Sequence, residues 1–158
     1  MDRIAKMAAD AAYNVQDGGL LKEYLPEYDP TGKTGRFGQN GFSATLSRAT
    51  DYDPSASANT YLLAFRGTRG FFDKNDWWAN VAQLATQTSQ FEQSVDVIKV
   101  LKQRLPPGAT LIASGHSKAG AQAVAASFAA RVPAIVFNPS SLSDHYQQGS
   151  PGYIRTHI

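Results

Sequence analysis

Ser117 is the residue of this sequence whose surroundings point most directly to covalent chemistry. It stands in Gly115-His116-Ser117-Lys118-Ala119-Gly120, with small residues two positions before and two positions after it. An apolar run, Thr110-Leu111-Ile112-Ala113-Ser114, leads in, and an alanine-rich run from Ala121 to Ala130 leads out. The pattern predicts a strand, a sharp turn and a helix, the arrangement called a nucleophile elbow. A strand that reverses this tightly leaves no room for bulk at the flanking positions, so Gly115 and Ala119 serve close backbone approach. The serine is then held at a helix N-terminus, where backbone N–H groups and the helix dipole favour negative charge developing beside it. A plainer reading is a serine N-cap of an ordinary helix, and the Gly-x-Ser-x-Ala string alone does not separate the two.

A second group of residues precedes it. Phe65-Arg66-Gly67-Thr68 closes an apolar run, and Asp76-Trp77-Trp78-Ala79-Asn80 follows. A strand ending in Gly-Thr can turn its last N–H groups and the threonine hydroxyl toward a site at the sheet's carboxyl edge; a turn with a capping threonine is the alternative. Trp77 and Trp78 suit either the core or an apolar pocket, and only one of two successive helical residues faces inward. Gly32-Lys33-Thr34 lacks the upstream glycine of a phosphate-binding loop, because that position is Glu27.

Positioning these residues takes one domain. The 158 residues are 42% hydrophobic, enough for one real core, and the formal net charge is +2. The basic residues are scattered rather than gathered into a stripe, which argues against a nucleic-acid partner. No apolar run is long enough to span a membrane, and the N-terminus lacks the apolar stretch of a secretory signal, so the expectation is a cytoplasmic protein or one exported by a signal-independent route. Cysteine is absent, which removes disulfides and cysteine metal sites. No cofactor or metal is expected.

In chain order, the apolar positions Ile4, Ala5, Ala8, Ala11 and Ala12 predict a helix over residues 1–14 with one buried face, ended by Gly18-Gly19. Residues 20–41, with Pro26, Pro30 and four glycines from Gly32 to Gly41, predict irregular structure. Phe42 to Leu46 and Tyr61 to Phe65 read as strands that pair antiparallel across the turn from Asp51 to Asn59. Ser89 to Leu105 reads as a helix with Phe91, Val95, Ile98, Leu101 and Leu105 on its buried face and Gln90, Gln93, Lys99 and Gln103 elsewhere, stopped by Pro106-Pro107-Gly108. Ala134 to Phe137 predicts the next strand, and Tyr153 to Ile158 a last short one. The alternation of strands and helices gives an α/β class: a mostly parallel sheet flanked by helices, with its elbow between strand 110–114 and helix 118–131.

Taken together, Ala64-Phe65-Arg66-Gly67-Thr68, Asp76-Trp77 with Asn80, and Gly115-His116-Ser117 resemble, in order and spacing, the class 3 (fungal-type) lipases of the α/β-hydrolase superfamily and their bacterial relatives. The early segment Ala9 to Tyr13 is similar to the helix with which such domains begin, and the likeness runs over roughly residues 5 to 140. The resemblance implies a partial α/β-hydrolase fold and hydrolysis of carboxylic esters, as a lipase or phospholipase, through an acyl-enzyme on Ser117. It implies an oxyanion hole from Thr68 and from the backbone N–H of Lys118, a structural His116 pointing away from the site, and an ester or lipid substrate met at a membrane surface.

The sequence departs from the pattern in three places. Ala119 replaces the usual glycine after the elbow. Lys118 replaces the usual leucine, which puts an ammonium beside the site and favours anionic or phosphate-bearing substrates; a lysine whose stem lies on the surface while its head reaches solvent explains it equally well. The family's acid and histidine fall later than the sequence extends, so the resemblance implies a single domain over residues 1–158 cut short at its C-terminus. Where some relatives carry Asp-Pro, this chain has Asn138-Pro139. Asp144 is then the candidate acid and His157 the candidate base, with His145 behind it. Two further functions stay open at this stage: a hydrolase-fold binding module without turnover, and a thioesterase.

Overall fold

A computed structural model describes residues 3–13, 18–29, 37–38, 42–66, 77–138 and 154–157, with backbone alone at 77–89 and 154–157. The elements follow in the order α1 (Arg3–Tyr13), α2 (Leu21–Tyr24), β1 (Ser43–Arg48), β2 (Thr60–Arg66), α3 (Trp77–Arg104), β3 (Thr110–His116), α4 (Lys118–Ala130), β4 (Ala134–Phe137) and β5 (Ile154–His157). The five strands lie in the sheet in sequence order. β1 pairs antiparallel with β2, and β2 through β5 are parallel. The mixed, mostly parallel sheet flanked by helices is the α/β class expected from the alternation of elements.

The strands read as continuous apolar runs because both faces of the sheet are covered. On one face α1 lays Ala5, Met7, Ala8 and Ala11 against Leu62, Ala64, Ile112, Ile135 and Phe137. On the other, α3 and α4 bring Val97, Ile98, Leu101, Ala119, Ala123 and Ala126 against Leu63, Phe65, Leu111, Ala113 and Val136. Successive residues of β2 thus alternate between the two cores, as the period of a strand requires. The Ser114 hydroxyl, on the α1 face, donates to the Ala8 carbonyl at 2.8 Å and fixes α1 on β3.

Three differences from the sequence reading have physical causes. Ile4 is exposed, and Met7 takes its place in the core; alanines on both sides of α1 leave the apolar stripe broad, and the sheet selects the face that Met7 completes. Gly18 and Gly19 do more than follow α1, whose last described residue is Tyr13. Both have positive φ (77° and 54°), and Gly19 bridges to Leu46, where a Cβ would meet the Leu46 carbonyl oxygen at 2.5 Å. Leu20 N–H donates to the Leu46 carbonyl (2.8 Å) and Leu46 N–H to the Gly18 carbonyl (3.1 Å), which covers part of the sheet's β1 edge.

The third difference is in α3, which begins at Trp77 and runs 28 residues, about 42 Å at the α-helical rise. Neither glycine nor proline interrupts it, and the Gln- and Thr-rich stretch from Gln83 to Thr88 hides its periodicity. Its buried face is also rotated. Gln90, Gln93, Ser94, Val97 and Ile98 are buried, while Phe91 and Val95 are half-buried. The glutamines enter the core because they have partners there. Gln93 Oε1 accepts from the Gly38 N–H at 2.9 Å, and Gln90 Oε1 accepts from Gln122 Nε2 of α4 at 3.0 Å. Gln122 Oε1 has no partner among the described residues.

A half-satisfied buried pair stabilises less than an apolar one. Gln90→Leu alone, which strips Gln122 of the partner it has, is expected to cost about 1–3 kcal/mol. Adding Gln122→Leu should recover most of that loss. Urea unfolding of the two singles and the double measures the cycle.

Candidate active site

The parallel strands β2, β3 and β4 end together at one edge of the sheet. Phe65 is level with Gly115, and His116 with Phe137, which is in turn level with His157 of β5. Ser117 sits at this edge between the end of β3 and the first residue of α4. Its N–H donates to the Phe137 carbonyl at 3.0 Å, and its own carbonyl accepts from Gly120 N–H at 3.0 Å. The chain is thus tied to β4 on one side of the serine and already helical on the other.

The backbone of Ser117 is the decisive geometry. It has φ 56° and ψ −121° and makes no side-chain capping bond. A serine N-cap has extended backbone and gives its oxygen to an N–H in the first helical turn; Ser117 does neither. A non-glycine residue in this part of conformational space stores about 1–3 kcal/mol of strain, and a strained strand-to-helix turn is what raises a serine hydroxyl above a sheet edge. The plain capping reading is therefore excluded by the local geometry.

The sharpness of the turn depends on Gly115. A Cβ there would collide with the backbone carbonyl oxygen of Ala119, lying 2.5 Å from that residue's carbonyl carbon and 2.8 Å from Gly120 N. Ala119 is buried against the sheet. The close approach expected of these two positions is one contact, made between them.

His116 turns toward α1. Its ring stacks on Tyr13 with centroids 4.7 Å apart, and Tyr13 also lies 6.3 Å from the Phe137 ring. Tyr13 is 61% exposed, so its ring forms an outward-facing wall beside the elbow. The sequence reading did not single out Tyr13 as a site residue, although the helix it ends was noted; its position at the C-terminus of α1 is the available signal. Asn138, just past β4, has φ 40° at the same edge, a conformation asparagine tolerates better than most residues.

Lys118 opens α4 and is half-buried. Burial pushes its ammonium pKa below the usual lysine value.

Of the other candidate residues, His157 is placed by its backbone at the end of β5, in the row that contains Phe137 and His116. Thr68 follows Arg66, the last residue of β2, and Thr68, Asp76, Asp144 and His145 lie outside the described residues. Trp77 and Trp78 begin α3.

The structure thus sets a strained serine between a strand end and a helix start, at the edge of a mostly parallel sheet covered by helices on both faces. Residues 5–155 match the family described as phospholipase-like, the Tle-like phospholipase domain. The chain belongs to that family. No curated protein matches the sequence. The match supports a lipase- or phospholipase-like family of hydrolases and a lipid substrate.

Proposed function

We propose that this protein hydrolyses carboxylic esters of lipids through an acyl-enzyme on Ser117. The observation that carries the reading is the Ser117 backbone, at φ 56° and ψ −121° with no capping bond. Family membership supports the substrate class, and the finer likeness to class 3 lipases, carried by Arg66-Gly67-Thr68 and Gly115-His116-Ser117, supports the roles of individual residues.

In this reading Ser117 Oγ attacks the ester carbonyl carbon and passes its proton to a base. The carbonyl oxygen becomes an oxyanion held by the backbone N–H groups of Thr68 and Lys118, near the positive end of the α4 dipole. Collapse of the tetrahedral intermediate breaks the C–O bond, and the base returns the proton to the departing alcohol. Water, activated by the same base, then attacks the acyl-enzyme, releasing the carboxylic acid and restoring Ser117. His157 is the base in this proposal and Asp144 the acid that orients it. Persistence of full hydrolysis in both Asp144→Asn and His157→Gln would assign those roles elsewhere. The whole of residues 1–158 is taken as one domain, and a lipid substrate brings it to a membrane surface; among the described residues no helix is long and apolar enough to cross one.

The test is release of fatty acid from phospholipid vesicles and of p-nitrophenol from esters of graded chain length, set beside acyl thioesters. Faster turnover of oxygen esters is expected. Thioester turnover exceeding ester turnover would change the substrate class, and turnover of neither would make the protein a binding module.

A further inference from the structure

A backbone as strained as that of Ser117 persists only where its surroundings over-determine it. On the α4 side the close approach of Gly115 to Ala119 does this. On the α1 side the holding contacts are made to the neighbours of Ser117. The Ser114 hydroxyl is bonded to the Ala8 carbonyl, and the ring of His116, directly before the serine, stacks on Tyr13. The Tyr13 ring also lies 6.3 Å from that of Phe137, whose carbonyl accepts the Ser117 N–H. His116 and Phe137 are register partners across β3 and β4. One ring thus rests against both residues that fix where the Ser117 backbone sits.

Folding alone gives little reason for an aromatic residue at this position. Tyr13 follows the exposed Lys6 by seven residues and so shares its side of α1, away from Ala5, Ala8 and Ala11, which carry the core contact. It is 61% exposed, so the apolar area it removes from water is small. What the ring adds is direction, because aromatic pairs have preferred geometries and burial contacts do not. It links a helix already fixed on β3 at Ala8 to the strand end that carries the serine.

We propose that Tyr13 is a positioning residue for Ser117: its ring holds the His116 ring, and with it the end of β3, so that the serine hydroxyl meets the ester carbonyl in an attacking geometry. The proposal rests on Ser117 being the nucleophile and deepens that reading. Tyr13 acts through His116 and touches neither the substrate nor the reacting atoms. Removing its ring therefore loosens the serine without weakening the hold on the substrate, and the loss is the same whatever the acyl chain.

The experiment measures kcat and KM of the full chain for p-nitrophenyl butyrate and octanoate, together with the rate of phosphonylation by a fluorophosphonate. Tyr13→Leu is expected to lower kcat about 10-fold with KM within about twofold, part of the roughly 100-fold that a misplacement of about 1 Å can cost. The loss should be equal for the two esters, and phosphonylation should slow by a similar factor. Tyr13→Phe, which keeps the ring, should recover most of it. In a His116→Ala background Tyr13→Leu should have little further effect, because residues that act through one another are not additive. A kcat in Tyr13→Leu that stays within about twofold of the unmodified protein on both esters overturns the proposal. So does a loss confined to KM and larger for octanoate, which would make Tyr13 a wall for the acyl chain. Full additivity with His116→Ala overturns it too, as does unfolding of Tyr13→Leu at the assay temperature, which would make the ring a structural one. If the unmodified protein neither hydrolyses an ester nor takes up the fluorophosphonate, the nucleophile reading fails and this one falls with it, a result distinct from an active protein indifferent to Tyr13→Leu.

Discussion

Ser117→Ala should lower ester hydrolysis by about 10⁴- to 10⁶-fold, the range seen when the attacking atom of a triad-type hydrolase is removed. The same substitution should leave stability almost untouched, because the Ser117 side chain makes no capping bond that could be lost. A serine N-cap would behave in the opposite way, costing about 1 kcal/mol on replacement by alanine with no effect on turnover. Ser117→Gly sharpens the contrast. Glycine adopts φ 56° without penalty, so this variant should be inactive and yet more stable than the parent by about 1 kcal/mol or more. Gain of stability on loss of function is the signature of a residue strained for activity. Thermal unfolding and ester turnover on the same preparations measure both effects.

Gly115→Ala should be the most damaging small substitution in the fold. The added Cβ meets backbone on every near side: the carbonyl of Ala119 and the nitrogen of Gly120. Backbone cannot move aside as a flexible side chain can, so relief requires α4 to shift away from the end of β3. We expect a loss of about 3 kcal/mol or more, at the upper end of overpacking effects. Activity should fall further than stability explains, since the shift displaces Ser117 and the first-turn N–H groups of α4 together, and a misplacement of about 1 Å can cost 100-fold in rate. Ester turnover measured at a temperature where the variant is still folded separates the two losses.

The elbow was legible in the sequence because its constraint is local. Two small residues at fixed spacing around Ser117, an apolar strand before it and an alanine-rich helix after it leave few backbone paths, and β3 and α4 lie where that pattern puts them. The strands were legible for a related reason. A run such as Tyr61 to Phe65 is apolar throughout only when both faces are covered, and the structure covers it with α1 on one side and α3 with α4 on the other.

What the sequence did not show was decided by partners far away in the chain. Gln90 and Gln93 look like solvent-facing residues until Gln122 and Gly38 are seen to accompany them into the core. Gly18-Gly19 gives no sign in the sequence of the bridge that Gly19 makes to Leu46. Tyr13 looks like the frayed end of α1 until its ring is found on His116. Thr68 and Asp144 lie outside the described residues; the role of Thr68 comes from the resemblance, and that of Asp144 from its place in the polar stretch that follows β4 in the sequence.

The central claim is that Ser117 is a nucleophile raised by the strained turn. A fluorophosphonate reports this directly, because it phosphonylates only an activated serine, and tandem mass spectrometry locates the adduct. The account predicts a single adduct on Ser117, absent in Ser117→Ala and suppressed by an excess of ester substrate. An unlabelled Ser117 in folded protein that turns over ester, or label that persists unchanged in Ser117→Ala, would contradict it.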